Sequence, residues 1–196
     1  MPNPGFFPQI AQTFDMEAAW YRKPGLPKAV IDGGLDEIAI VPVGFDRLEE
    51  LVEFWQLLHR HQAEVCAEVP GLAVLSGPAS AEIVREQYRE MLSARDPLAF
   101  IAEDDGRPVG YLIGFYEEPH FMWETDRVGH VDSFYVLPET RGRGVGRLLM
   151  EAAYAAMRDA GASAVALDVV ASNEIARRFY DQQGFTATFM QMHRAL

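Results

Sequence analysis

The stretch VLPETRGRGVG, residues 136 to 146, constrains the fold of this chain more than any other. It follows a β-branched and aromatic run and precedes an amphipathic one, so a strand must hand over to a helix across a glycine-rich turn. A helix N-terminus presents about four unpaired backbone N–H groups and roughly half a positive charge. Gly142, Gly144 and Gly146 remove Cβ atoms that would hold an anion away, and they permit the positive-φ backbone that a nest of N–H donors needs. Arg141, Arg143 and Arg147 add fixed charge and paired donors. The junction therefore suits a phosphorylated group. The competing account is that the glycines solve a strand-to-helix packing problem and the arginines balance an acidic chain.

Two other phosphate motifs do not fit. A P-loop needs Lys and then Ser or Thr after its last glycine, whereas Arg147 and Leu148 follow Gly146. The dinucleotide fingerprint G-x-G-x-x-G fails by one position, because Arg147 stands where its third glycine belongs. Asp168, at the end of the next strand, imitates that fold's ribose-binding acid, but that fold opens with this unit and here it falls in the last third of the chain. A dinucleotide-dependent oxidoreductase is thus the weaker alternative.

Composition excludes several classes. At 196 residues and 49% apolar the chain can bury one core, and 17 Lys plus Arg against 29 Asp plus Glu give a net charge of −12. That charge repels nucleic acid and anionic lipid, so neither is an expected partner. No window approaches the ~18 uninterrupted apolar residues of a membrane span. The single cysteine, Cys66, cannot form an intrachain disulfide, and the N-terminus lacks a secretory pattern, so a cytoplasmic location is expected. His59 and His61 lie two apart on a helix and point to different faces, with no Cys/His cluster nearby, so no metal is expected.

The periodicities order the elements. Pro2, Pro4, Pro8, Pro24 and Pro27 break up residues 1 to 36, which read as an arm packed on the domain through Phe6, Phe7, Phe14, Trp20 and Tyr21. Residues 37 to 196 read as one domain. A strand over 37–43 leads to a helix that an Asp46/Glu49 capping pair opens and that runs to about residue 61. Ser80 is placed to cap a second helix with Ile83, Val84, Tyr88, Met91 and Leu92 on its apolar side. LAFIAED and PVGYLIGFY form a hairpin across the Asp-Gly turn. Then come the strand HVDSFYVL, a helix over 147–160 with Leu148, Leu149, Ala152, Ala153, Ala156 and Met157 on its buried side, and AVALDVV as a strand buried on both faces. A helix over 173–182 and a last strand, FTATFMQMHRAL, close the sheet. The order predicts a mixed α/β (α+β) sheet.

Arg141-Gly142-Arg143-Gly144-Val145-Gly146 matches the R/Q-x-x-G-x-G/A signature of the GNAT superfamily of acyl-CoA-dependent N-acyltransferases. LDVVASNEIARRFYDQQGF resembles that family's second hallmark: an Asn opening a helix, an Ala three residues on, then Phe-Tyr and a Gly-Phe exit. The resemblance is close over residues 98 to 190, rests on element order over 37 to 95, and finds no counterpart for 1 to 36. It implies a mostly antiparallel sheet, flanked by helices and splayed between two core strands, with pantetheine in the splay. It also implies an acetyl-CoA-dependent N-acetyltransferase working by direct attack on the thioester, or an inactive acyl-CoA sensor of the same fold. Residues Phe134, Tyr135 and Val136 would line the pantetheine, with the backbone of Phe134 and Val136 turned to it, and residues Arg141 to Arg147 would hold the pyrophosphate. Tyr180 matches the usual general acid. Asn173 either bonds the pantetheine or caps its helix. The base falls to Asp132 or His130, which share a strand face by the period of two, or to solvent or Glu118.

Glu117, Glu118, Glu124 and Asp126, with His120, Phe121 and Trp123 among them, precede the catalytic strand and suggest, with the net charge, a cationic amine acceptor. The aromatic-rich arm would suit a homodimer contact.

Overall fold

The computed structural model describes residues 38–65, 78–118 and 124–194; the arm at 1–36, Cys66, His120, Phe121 and Trp123 lie outside them. Five strands form one sheet in the order β1 (Ile38–Pro42), β2 (Leu98–Asp104), β3 (Arg107–Glu117), β4 (Val128–Val136) and β5 (Ala164–Leu167). Neighbours are antiparallel from β1 to β4, and β4 pairs β5 in parallel. Helices α1 (Leu48–Val65) and α2 (Pro78–Leu92) stand between β1 and β2 in the chain, α3 (Val145–Asp159) between β4 and β5, and α4 (Glu174–Gln182) after β5.

The period of two along β3 sorts the core into two clusters. Tyr111 and Ile113 pack with Leu51, Val52, Phe54, Val84 and Tyr88 of α1 and α2. Leu112 packs instead with Leu149, Met150, Ala153 and Met157 of α3. Each fully buried side chain of this size is worth roughly 1.5–3 kcal/mol over its exposed state, which fixes the sheet between its two helical layers. The β2–β3 turn has the expected chemistry: Asp105 and Gly106 both hold positive φ, 50° and 72°, as a two-residue hairpin requires.

Between β3 and β4 the register slips. Ile113 faces Ser133 while Gly114 faces Val131, so Asp132 is an extra residue, a β-bulge. Gly114 makes the slip sterically feasible, because a Cβ there would stand 2.2 Å from the His130 carbonyl oxygen.

Four expectations are corrected. Asp46 and Glu49 do not cap α1: Asp46 lies inside a 3-10 turn, Phe45–Arg47, that has no side-chain cap bond, and Glu49 pairs with Arg85 of α2 at 2.8 Å. Ser80 is buried in the first turn of α2, which Pro78 opens because its missing N–H is one a first turn never pairs. AVALDVV forms only the four-residue β5, partly exposed, because parallel pairing stops at Leu167. The described tail, 186–194, is not a strand, and Phe189, Met190 and Met192 are exposed; β-propensity makes a strand only where a ladder partner is present.

Candidate active site

The parallel ladder runs from Val128↔Ala164 to Val131↔Leu167 and ends there, while β4 continues to Val136. The two strands therefore part, leaving one side of the second half of β4 without a ladder partner in β5. The Leu137 N–H donates to the Val109 carbonyl on β3. Main-chain groups alternate along a strand, so those of Tyr135 also serve β3 and those of Phe134 and Val136 point into the gap. The Tyr135 side chain belongs to the α1/α2 cluster, under the Arg141 guanidinium and near His61.

At the far end of the gap, Gly142 and Gly144 hold φ of 77° and 81°, and Gly144 is the N-cap of α3. The Arg141 N–H is used by the Pro138 carbonyl, and the Leu148 N–H by Gly144. Among the described residues, no carbonyl outside the regular elements accepts from the amides of residues 142 to 147. The third glycine serves a different purpose. A Cβ on Gly146 would lie 3.1 Å from the Phe134 ring and 3.4 Å from Phe179, so this position brings the helix close to the aromatics. Val145 is core. The arginines turn toward protein acceptors: Arg141 Nε to the Val136 carbonyl at 3.0 Å, Arg143 to Asp104, and Arg147 Nε to Glu151 at 2.7 Å.

The bulge gathers polar groups beside the gap. Ser133 Oγ–H donates to Asp132 Oδ2 at 2.8 Å. His130 stands between two carboxylates, Nδ1 3.2 Å from Glu117 and Nε2 3.8 Å from the exposed Asp168, with its ring stacked on Phe115. Asp132 is the exposed residue of β4, and it is the protein packed around its carboxyl that raises its pKa. Burial is the main cause; the Ser133 donor and His130 pull the other way, and Asp168 adds to the rise.

On α4 the ring of Tyr180 packs against Phe179, Phe185 and Phe134. Burial pushes its phenol up to about 12, helped by nearby Tyr154, whose own buried hydroxyl has no partner among the described residues. Asn173 caps α4: its Oδ1 accepts from the Ala176 N–H at 3.1 Å, which leaves its Nδ2 donors and one Oδ1 lone pair for a ligand. Glu124 and Asp126 line, with Ala164, a cavity at the opposite end of the β4/β5 pair, and Glu118 follows the end of β3.

Asp132, Phe134 and Val136 thus lie on the part of β4 beyond the ladder, with Tyr180 against Phe134 and residues 142–147 at its end, while His130 lies within the ladder opposite Ala166. Sequence periodicity did not show that the Ser133 hydroxyl bonds Asp132 or that Tyr88 and Tyr111 meet in the core. The one available signal was Gly114, a glycine inside an apolar strand pattern, which marks a bulge or a close backbone approach.

A family model described as the acetyltransferase (GNAT) family matches residues 73–185. An uncharacterized N-acetyltransferase of Archaeoglobus fulgidus is 33% identical over 100 residues, 51% of this chain and 67% of that protein. A mycothiol acetyltransferase of Rhodococcus jostii is 39% identical over 90 residues, 45% of this chain and 28% of that protein. The chain thus spans about a quarter of one relative and two thirds of the other. A GCN5-related N-acetyltransferase from Ralstonia eutropha superposes with a TM-score of 0.64 at 23% identity, covering 82% of this chain and 99% of that one. An aminoglycoside N-acetyltransferase solved in complex with CoA gives 0.61 at 22% identity, covering 82% and 95%. These two likenesses concern the fold.

Proposed function

The chain belongs to the acetyltransferase (GNAT) family, and on that premise we propose that it moves an acetyl group from acetyl-CoA to a primary amine of a small molecule or peptide, with both substrates bound at once. The observation that carries this is the parting of β4 from β5 after Val131, with the Phe134 and Val136 main chain turned into the gap and the uncommitted amides of 142 to 147 at its end. The residues fit the cosubstrate. A pantetheine arm can add to the unpaired side of β4, and a diphosphate suits N–H donors at the start of α3, with positive φ at Gly142 and Gly144.

Acetyl-CoA supplies the acetyl group as a thioester; the chain supplies alignment and protons. Phe134 and Val136 amides would donate to the thioester carbonyl oxygen as it gains charge, a contribution of about 2.7–4 kcal/mol per donor in comparable sites. Asp132 would take the proton lost by the amine nitrogen as its bond to the acetyl carbon forms, and Tyr180 would give its phenolic proton to the departing sulfur as the C–S bond breaks. His130, held between Glu117 and Asp168, can relay the amine proton. These carboxylates, with Asp132, favour a cationic acceptor. Exposed Phe189, Met190 and Met192 support a homodimer, which sedimentation would detect as twice the chain mass. Among the described residues, no helix is long and apolar enough to cross a membrane.

The test is a panel of amines incubated with acetyl-CoA and the full chain, scored by free CoA release. A subset of cationic primary amines should turn over well above background hydrolysis; release that never depends on an amine would refute transfer.

A further inference from the structure

Three hydroxyls form a chain inside the α1/α2 side of the core and end on Asp132. Ser133 Oγ–H donates to Asp132 Oδ2 at 2.8 Å. The Tyr88 and Tyr111 hydroxyls meet at 3.1 Å, and the Ser133 hydroxyl is close enough to act on both. Tyr88 is 1% exposed, Tyr111 0% and Ser133 7%. Phe at 88 and 111 and Ala at 133 would fill nearly the same space without the ~1–3 kcal/mol desolvation penalty that each buried polar group carries when left unpaired. Among the described residues, the charged group to which these hydroxyls are bonded is the bulge carboxylate. Strict alternation would place residues 132 and 133 on opposite faces; the slip against Ile113 and Gly114 is what lets them bond.

Proton inventory gives the chain a direction. Ser133 has one proton, and it goes to Asp132, so its lone pairs are left to accept from a tyrosine. One tyrosine proton is used in the Tyr88–Tyr111 bond and the other is left for Ser133, so the donors run in series, tyrosine to tyrosine to serine to carboxylate, and bonds in series polarise one another. We propose that Tyr88 and Tyr111, acting through Ser133, hold the Asp132 carboxylate in place and set its basicity; all three are positioning residues. This rests on Asp132 being the base of the proposed reaction.

The other groups around Asp132 define what the hydroxyls act against. His130 on β4 favours the charged form; Asp168, beyond β5, opposes it; Glu117 of β3 engages the far nitrogen of His130; His61 of α1 lies against Tyr135. Burial raises Asp132, and the Ser133 hydroxyl, which the tyrosines back, pulls it down. Removing the donors therefore shifts the titration upward.

The test is a carbon-13 NMR titration of the aspartate carboxyls in the full chain, with the Asp132 resonance identified by its loss in Asp132→Asn. Ser133→Ala should raise its midpoint by about one pH unit, the size of one hydrogen bond to a charged group. Tyr111→Phe and Tyr88→Phe should raise it less, in the same direction. Tyr116→Phe should leave it unmoved, since the Tyr116 hydroxyl bonds the Ala156 carbonyl on the other side of the sheet. Should Ser133→Ala fail to fold, the two Tyr→Phe variants keep the core volume and carry the test. Midpoints equal to the parent's in the folded variants overturn the inference, whatever happens to Tm. The reading beneath it fails separately: Asp132→Asn with the parent's kcat/KM on acetyl-CoA and an amine removes the base, whether or not the hydroxyls move the titration.

Discussion

Asp132 and Tyr180 both have their neutral forms favoured, and the consequence differs for each. A carboxylate with a raised pKa binds a proton more tightly, which makes it a better base at neutral pH. That raised value also costs stability. The group's contribution is complete below the unfolded value, about 3.9, and is lost as pH rises through the folded one. Asp132→Asn should therefore lower kcat/KM by ~10²–10⁴ while giving a small rise in Tm at neutral pH, and the two Tm curves should meet below about pH 4. Calorimetry across pH checks the second half, and a lower Tm for the variant at neutral pH would contradict it. Tyr180, pushed up to about 12, keeps its proton through the alkaline range where an ordinary phenol ionises. The parent's kcat should show no acid-group loss near pH 10. Tyr180→Phe should cut kcat by about 10²-fold at saturating acetyl-CoA. Its Tm should stay close to the parent's, because the ring contacts with Phe134, Phe179 and Phe185 remain.

Elements that depend on local pattern were legible in the sequence. The Asp105-Gly106 hairpin, the glycine turn before α3 and the Asn173 start of α4 each rest on residues within a few positions of one another. The bulge was not legible, because it is a property of two strands in register. Alternation along β4 alone gives a shared face to His130 and Asp132 and denies it to Ser133. The missing last strand has the same origin: nothing within 185–196 says whether a ladder partner will be there. Glycines that look alike in sequence also differ by element. Gly142 has open space around its missing Cβ but a φ of 77°, so Gly142→Ala should cost about 1–2 kcal/mol and appear chiefly as a raised KM for acetyl-CoA. Gly114→Ala would drive a Cβ into the His130 carbonyl oxygen at 2.2 Å, so the bulge must shift. A loss of at least ~3 kcal/mol is expected, read as a lower denaturation midpoint, with Asp132 displaced.

At the scale of the whole molecule the two walls of the gap are unequally anchored. Strands β1 to β4 pair along their lengths and carry both core clusters. By contrast β5 holds to β4 by four register pairs, is only partly buried, and is followed by α4, in which no residue is fully buried. Few buried contacts mean low local stability, so the β5–α4 wall should open far more readily than the sheet it adjoins. A ligand that lies along β4, meets the start of α3 and touches α4 ties the weak wall to the strong one. At one hundred times its Kd, acetyl-CoA should stabilise the native state by about 2.7 kcal/mol, a rise in Tm of roughly 5–11 °C for a chain of this size. Amide hydrogen exchange should slow most in β5, α4 and residues 142–147, with little change in α1 and α2. NADPH should do neither, because the third glycine position of its fingerprint is Arg147. Protection by NADPH equal to that by acetyl-CoA, or protection confined to α1 and α2, would place the cosubstrate somewhere other than the gap between β4 and β5.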